Sequence, residues 1–235
     1  MIRAILFDAG NTLIRMDYAA VAAELARHGV RLTPEEVQRA EWLARVRLDT
    51  DVFAPPGAFS TESRDTLERY TRYLLEAAGV ADAALHAGII TWRRGYNPPL
   101  GLWTVAEPEA AAALQLAREA GLATGVVSNS NGTIRRILES LDLARHIDVI
   151  LDSQEEGLEK PDPRLFQRAL DRLGVEAADA AYVGDFYSVD VLGARRAGMR
   201  AVLMDPGACW GARDCPQAPT VLDAVRVLLA DRAPA

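Results

Sequence analysis

Lysine is almost missing from this chain: of 26 basic residues only one, Lys160, is lysine. Cysteine and histidine are scarce too, at two and three. Cys209 and Cys215 have five residues between them, a spacing that fits neither the usual zinc pattern nor a redox C-x-x-C, so they are read as two thiols near a surface loop. His28, His86 and His146 lie far apart without ligand-type spacing, and none is a site candidate. No apolar run approaches the ~20 residues that a membrane-spanning helix needs. The opening IRAILFD shows no charged leader, so a cytoplasmic location with no membrane partner is expected. A net charge of −7 disfavours nucleic acid as a partner, although one local basic pocket can still hold a small anion. P-loop, G-x-G-x-x-G and G-x-S-x-G patterns are absent, which removes the nucleotide-binding and serine-hydrolase signatures.

What is present reads as one α/β core with an insert. The 235 residues, half of them apolar, suffice for one sizeable core plus a smaller accessory domain. Five short apolar runs read as buried strands: Ile2–Phe7, Ala123–Val127, Ile147–Leu151, Ala180–Val183 and Arg200–Met204. Each leads into a polar residue, respectively Asp8, Ser128, Asp152, Asp185 and Asp205, where a parallel sheet opens its strand carboxyl ends to ligand. Helical segments alternate with the last four strands. One is opened by Pro108, one is capped by Asn131 and runs to about Leu141, one starts at Asp162-Pro163, and one starts at Ser188 and ends before Gly198. Parallel neighbours require such crossovers, so the expected fold is a doubly wound parallel sheet. The interval after the first strand exceeds a hundred residues and is too long for a crossover. Its contents look helical: Tyr18–His28, a capping box at Thr33-Pro34-Glu35-Glu36 leading to about Leu48, then roughly Glu62–Ala78 and Ala83–Arg94. The expected organisation is a core of residues 1–14 and 104–235, with a helical-bundle cap over 15–103. The terminal DRAPA is expected to fray.

The strand ends carry the chemistry. The first strand ends in FDAGNTL, and its Asp8, Gly10 and Thr12 resemble the first motif of the haloacid dehalogenase (HAD) superfamily. VVSNS supplies Ser128, EKPDPRLF supplies Lys160, and YVGDFYSVD supplies Asp185 and Asp190, resembling the other three motifs in order. The insertion point resembles that superfamily's helical cap, so the core is expected to be HAD-like and Rossmannoid. The resemblance implies a Mg²⁺-dependent hydrolase, a phosphatase acting on a small phosphorylated metabolite, with Asp8 as covalent nucleophile. It also implies a metal held by Asp8, Asp185 and the Gly10 carbonyl. Asp190 would hold a metal water or orient Lys160. Phosphate would be met by Thr12, Ser128, Asn129 and Lys160, with Ser128 and Lys160 also counted as catalytic.

Elementary chemistry agrees with each role. A carboxylate can attack phosphorus and split one hard hydrolysis into two easier steps. An anion approaching an anion needs charge neutralisation, which hard oxygen ligands and Mg²⁺ supply. A lysine retained where every other cation is arginine suggests a corner that accepts a point charge and not a planar fork.

One departure limits the resemblance. HAD phosphatases usually carry a second aspartate two residues after the nucleophile, as general acid and base; here that position is Gly10. Proton transfer of this kind is worth roughly 10²–10⁴ in rate. Three explanations stay open: a leaving group that needs no proton, another acid such as Asp17 or Tyr18, or attenuated catalysis in a phosphate-binding domain. Phosphonatases of the superfamily use a cap lysine, and this cap has none. The 2-haloacid dehalogenases also resemble the FDA opening, but GDFYSVD keeps the metal-type aspartates.

Overall fold

The computed structural model describes residues 1–55, 57 and 59–230, so the DRAPA segment lies outside the described residues. The chain divides into two compact units, one of Met1–Arg15 with the described part of Val105–Ala235, the other of Met16–Thr104. Strands β1 (Ala4–Phe7), β2 (Ile14–Met16), β3 (Trp103–Ala106), β4 (Ala123–Ser128), β5 (Val149–Asp152), β6 (Ala180–Gly184), β7 (Arg200–Met204) and β8 (Gln217–Ala218) follow in chain order. β2 and β3 pair in a small sheet of their own at the unit boundaries. The other six form one sheet in the order β5-β4-β1-β6-β7-β8, every pair of it parallel. β1 is completely buried on both faces, which is why AILF reads as a continuous apolar run without alternation.

Helices α1 (Tyr18–Arg27), α2 (Pro34–Leu48), α3 (Arg64–Ala77) and α4 (Ala83–Gly95) make up most of the second unit. α2 packs on α1 and α3, and α3 on α4. The capping box read at Thr33 is formed in both directions. The centre of this bundle is polar: fully buried Glu41 accepts from the hydroxyls of Tyr18 and Tyr70 and from Arg45, so three helices share one carboxylate.

In the sheet unit, α5 (Ala110–Glu119), α6 (Ile134–Ser140), α7 (Ser153–Glu156), α8 (Pro163–Leu173), α9 (Leu192–Arg196) and α10 (Val221–Ala230) fill the connections. α5 and α10 pack together against the sheet, and α8 and α9 do the same, giving the doubly wound α/β architecture.

Three local expectations change. The run expected over Ile147–Leu151 begins as a strand only at Val149, following a 3-10 turn over Ala144–His146, and the Asp148 carboxylate before it takes the Thr124 amide and Arg118. Asn131 does not cap α6; its side chain accepts from the Thr133 hydroxyl, and Asp152 from β5 accepts the Gly132 N–H of the turn before the helix and, at 3.4 Å, the Ile134 N–H that begins it. Ser188 starts no regular helix either: Tyr187–Val191 forms a π-helical turn that runs into α9. Both cysteines are free thiols.

Candidate active site

Parallel register gathers the strand ends. Phe7 is paired with Val126 on one side and Val183 on the other, so Asp8, Ser128 and Asp185 leave the sheet within two residues of one another along its carboxyl edge. Lys160 joins them from the loop before α8. All are buried: Asp8 is 7% exposed, Ser128 4%, Lys160 3%, and Asp185 and Asp190 1% each.

The Lys160 ammonium is the hub. It has three N–H groups, and each has an acceptor: Asp8 Oδ1 at 2.5 Å, Asp190 Oδ1 at 2.8 Å and the Tyr182 hydroxyl at 2.9 Å. Its main chain is held as well, because the Asn129 amide accepts from Lys160 N–H at 2.8 Å and donates to the Lys160 carbonyl at 3.0 Å. Asn129, expected to meet phosphate, is therefore bonded at both ends of its amide to the Lys160 backbone.

Asp190 reaches back from the π-helical turn. While its Oδ1 takes Lys160, its Oδ2 accepts the backbone N–H groups of Asp185 at 3.0 Å and Phe186 at 2.8 Å. The carboxyl lies so close to Gly184 that an added Cβ there would stand 2.5 Å from its carbon. Glycine before Asp185 is thus a steric requirement of this turn. Asn11 adopts φ 54°, a left-handed conformation that asparagine tolerates better than most residues, and donates to Asp185 Oδ2 at 3.2 Å.

The turn after β4 is built by β5. Asp152 accepts the Gly132, Ile134 and Gln154 N–H groups, and the Ser153 hydroxyl bridges the Ser130 amide and carbonyl. The Ser128 hydroxyl faces the Asn129 carbonyl at 3.4 Å, long for an O–H···O bond. Thr12 is fully buried, and its hydroxyl oxygen has no hydrogen-bond partner among the described residues.

Burial pushes the Asp8 carboxyl up to about 6; the Lys160 charge opposes the shift and the Asp190 carboxylate adds to it. Burial works against the Lys160 ammonium, but Asp190 and Asp8 together outweigh it and hold its pKa above the ordinary lysine value. Burial and the surrounding carboxylates raise Tyr182 well above its usual range, so the phenol stays protonated.

The donor set also shows what ion would fit. Asp8, Asp185 and Asp190 offer carboxylate oxygens that all lie within 4.8 Å of one another. Three carboxylates gathered around one ammonium concentrate negative charge in a buried space, a costly arrangement in a low dielectric unless more positive charge is shared with them. A hard divalent cation such as Mg²⁺ matches both the charge and the oxygen chemistry.

The candidate acids in the helical unit are occupied within it. Asp17 caps α1 through Ala20 N–H at 2.9 Å and is approached by the Tyr96 hydroxyl at 3.5 Å. The Tyr18 hydroxyl donates to Glu41 at 3.1 Å. Residues absent from the sequence reading are Tyr182, Asn11, Asp152 in its capping role, and Ser153. A lone hydroxyl in the otherwise apolar AAYVG strand was the available signal for Tyr182, and Asn before Thr in a tight turn was that for Asn11. The bonds of Asp152 and Ser153 to the β4 turn depend on strand pairing and leave no local signal.

Comparison with known proteins agrees with this geometry. The family model for haloacid dehalogenase-like hydrolases matches residues 2–198. The phosphoserine phosphatase of Thermus thermophilus is 42% identical over 142 residues, 60% of this chain and about half, 55%, of that protein. The mouse haloacid dehalogenase-like hydrolase domain-containing protein 3 is 32% identical over 210 residues, 86% of this chain and 81% of that protein. Among solved structures, the 2-haloacid dehalogenase of Pseudomonas syringae pv. Tomato DC3000 superimposes with a TM-score of 0.58 at 29% identity, covering 98% of this chain and 99% of its own. The chain belongs to the haloacid dehalogenase-like hydrolase family.

Proposed function

We propose that the chain is a Mg²⁺-dependent phosphohydrolase in which Asp8 attacks the phosphorus of a small phosphorylated metabolite, the P–O bond to the metabolite breaks and its oxygen departs, and water then cleaves the aspartyl phosphate to release inorganic phosphate and restore the Asp8 carboxylate. The observation that carries the reading is the buried cluster of the Asp8, Asp185 and Asp190 carboxylates, whose oxygens lie within 4.8 Å of one another, with the Lys160 ammonium paired to two of them. When bound, Mg²⁺ would be held by Asp8, Asp185 and the Gly10 carbonyl, and would offset the repulsion between nucleophile and phosphate. Both oxygens of Asp190 are already engaged, which supports a role in orienting Lys160 and the Asp185 backbone. The lysine charge would steady the phosphoryl oxygens as Asp8 approaches. The Ser128 hydroxyl, Thr12 and the N–H groups of the turn after β4 would donate to the same oxygens, with Asn129 acting through its hold on Lys160. The α/β unit is the catalytic core in this reading and the helical unit a cap that selects substrate. The substrate reading draws on the phosphoserine phosphatase relative.

A second reading has a specific observation in its favour. The 2-haloacid dehalogenase structure is 29% identical, and a halide leaving group would need no proton from position 10. Assaying phosphomonoesters and 2-haloacids with and without Mg²⁺ separates the two. Phosphate release that requires Mg²⁺ and falls at least about tenfold in Asp8→Asn is expected. Metal-independent halide release would establish the second reading instead.

A further inference from the structure

Lys160 is fixed by two carboxylates that belong to the proposed chemistry and by one neutral group that does not. Tyr182 lies in the middle of β6, fully buried. Its hydroxyl accepts the third Lys160 N–H at 2.9 Å and donates its own proton to the Val127 carbonyl at 2.8 Å. Val127 immediately precedes Ser128, so one hydroxyl ties the ammonium to the strand that presents the phosphate-facing turn. The ring is held edge-on by Phe166 at 5.0 Å between centroids, and Phe166 is itself closely backed by Gly193. The hydroxyl therefore has little freedom to turn away.

The choice of a phenol has an electrostatic reason. An ammonium with one N–H facing apolar surroundings would lose a hydrogen bond in a buried site. A third carboxylate would complete the set of acceptors but add another negative charge beside the nucleophile. A neutral hydroxyl completes the set and leaves the charge balance unchanged. With two acceptors alone the ammonium could rotate and share its protons among them; with three it has a single orientation.

We infer that Tyr182 is a positioning residue for the reaction, fixing the Lys160 ammonium against Asp8 by accepting its third N–H while anchored to the Val127 carbonyl. The turnover consequence rests on the phosphohydrolase reading, whereas the orientation of the ammonium does not.

The composition supplies a direct probe, because Lys160 is the chain's only lysine. Protein labelled with ¹⁵N-lysine carries a single ammonium signal, and its hydrogen exchange can be compared at pH 7 with free lysine in the same tube. In the wild-type protein, exchange slower than that of free lysine by at least about tenfold is expected. Tyr182→Phe keeps the ring and its contact with Phe166. It should shift the signal, speed its exchange severalfold and lower kcat about tenfold with KM within twofold, and it should lower the melting temperature by several degrees because the ammonium and the Val127 carbonyl each lose a partner. A merely structural tyrosine would lower the melting temperature in the same way but leave the ammonium signal and kcat in place. An unchanged ammonium signal in Tyr182→Phe, or a kcat within twofold of wild type, overturns the inference. A wild-type ammonium that exchanges as fast as free lysine overturns it without any variant, so the test survives a variant that fails to fold. If no phosphate ester is turned over at all, the phosphohydrolase reading fails, while the ammonium measurements still decide the placement of Lys160.

Discussion

At the scale of single residues, the site is a problem of fitting charge into a closed space. Lys160 is 3% exposed and satisfied on all three N–H groups. A guanidinium is larger and planar, with its donors in a fixed fork, so it cannot meet three acceptors that converge on one point. Lys160→Arg is expected to lower kcat by on the order of 100-fold, comparable with loss of one preorganised donor, although net charge is preserved. Kinetics within about threefold of wild type would show that the corner tolerates a fork. The composition made this residue legible before any geometry, because one lysine among so many arginines called for a reason. Tyr182 was not legible in the same way. A tyrosine in an apolar strand is ordinary, and its meaning depends on where the hydroxyl points, which only the pairing of β6 with β1 and the arrival of the Lys160 loop determine.

At the scale of elements, what the sequence revealed and what it hid divide along local and non-local hydrogen bonding. The Thr33 capping box, the Asp162 cap with Pro163 behind it, and the strand runs were readable because their determinants lie within four residues. α6 is placed correctly in outline from the sequence but not its cap, because the Ile134 N–H and the turn before it are met from β5. Asp152 is 1% exposed and serves two segments at once, the start of α6 and the start of α7. Each cap is worth about 0.5–2 kcal/mol, so Asp152→Ala is expected to cost about 1–4 kcal/mol. At about 2–4 °C per kcal/mol for a chain of this size, the melting temperature should fall by about 2–16 °C. A fall of under 2 °C in a thermal scan would mean that water replaces the carboxylate without penalty. The same variant should weaken phosphate inhibition, since the N–H groups that Asp152 arranges belong to the turn beside Ser128. The Asp190 turn illustrates the same limit. The partners of Asp190 are Lys160, 30 residues away, and backbone amides made reachable only because Gly184 has no side chain.

At the scale of the whole molecule, two consequences follow from charge and from what position 10 lacks. The first is linkage. A cation that binds the folded site and not the unfolded chain stabilises by about 2.7 kcal/mol at 100 times its Kd. Saturating Mg²⁺ should therefore raise the melting temperature by about 5–10 °C, and Asp185→Ala should remove that increment. An equal increment in both proteins would place the ion elsewhere. The second consequence concerns the leaving group. Asp17 is engaged in capping α1 and the Tyr18 hydroxyl is turned to Glu41, so the acids nearest to the motif in sequence already have other partners, and Gly10 carries no proton to give. Without a general acid, the barrier rises with the basicity of the departing oxygen. Aryl and acyl phosphates should then be cleaved at least about 100-fold faster than alkyl phosphates, the low end of what acid catalysis contributes. Restoring the carboxyl tests the cause. Gly10 is not among the glycines with positive φ, so an aspartate at that position meets no left-handed backbone penalty. Gly10→Asp is expected to fold with a melting temperature close to that of wild type and to speed alkyl phosphates by at least about tenfold while changing aryl phosphates little, flattening the dependence. Rates measured across a series of phosphates of graded leaving-group pKa, for both proteins, give the two slopes directly. A wild-type slope near zero would show that an acid is already present, and Asp17→Asn would then be the variant that identifies or dismisses it.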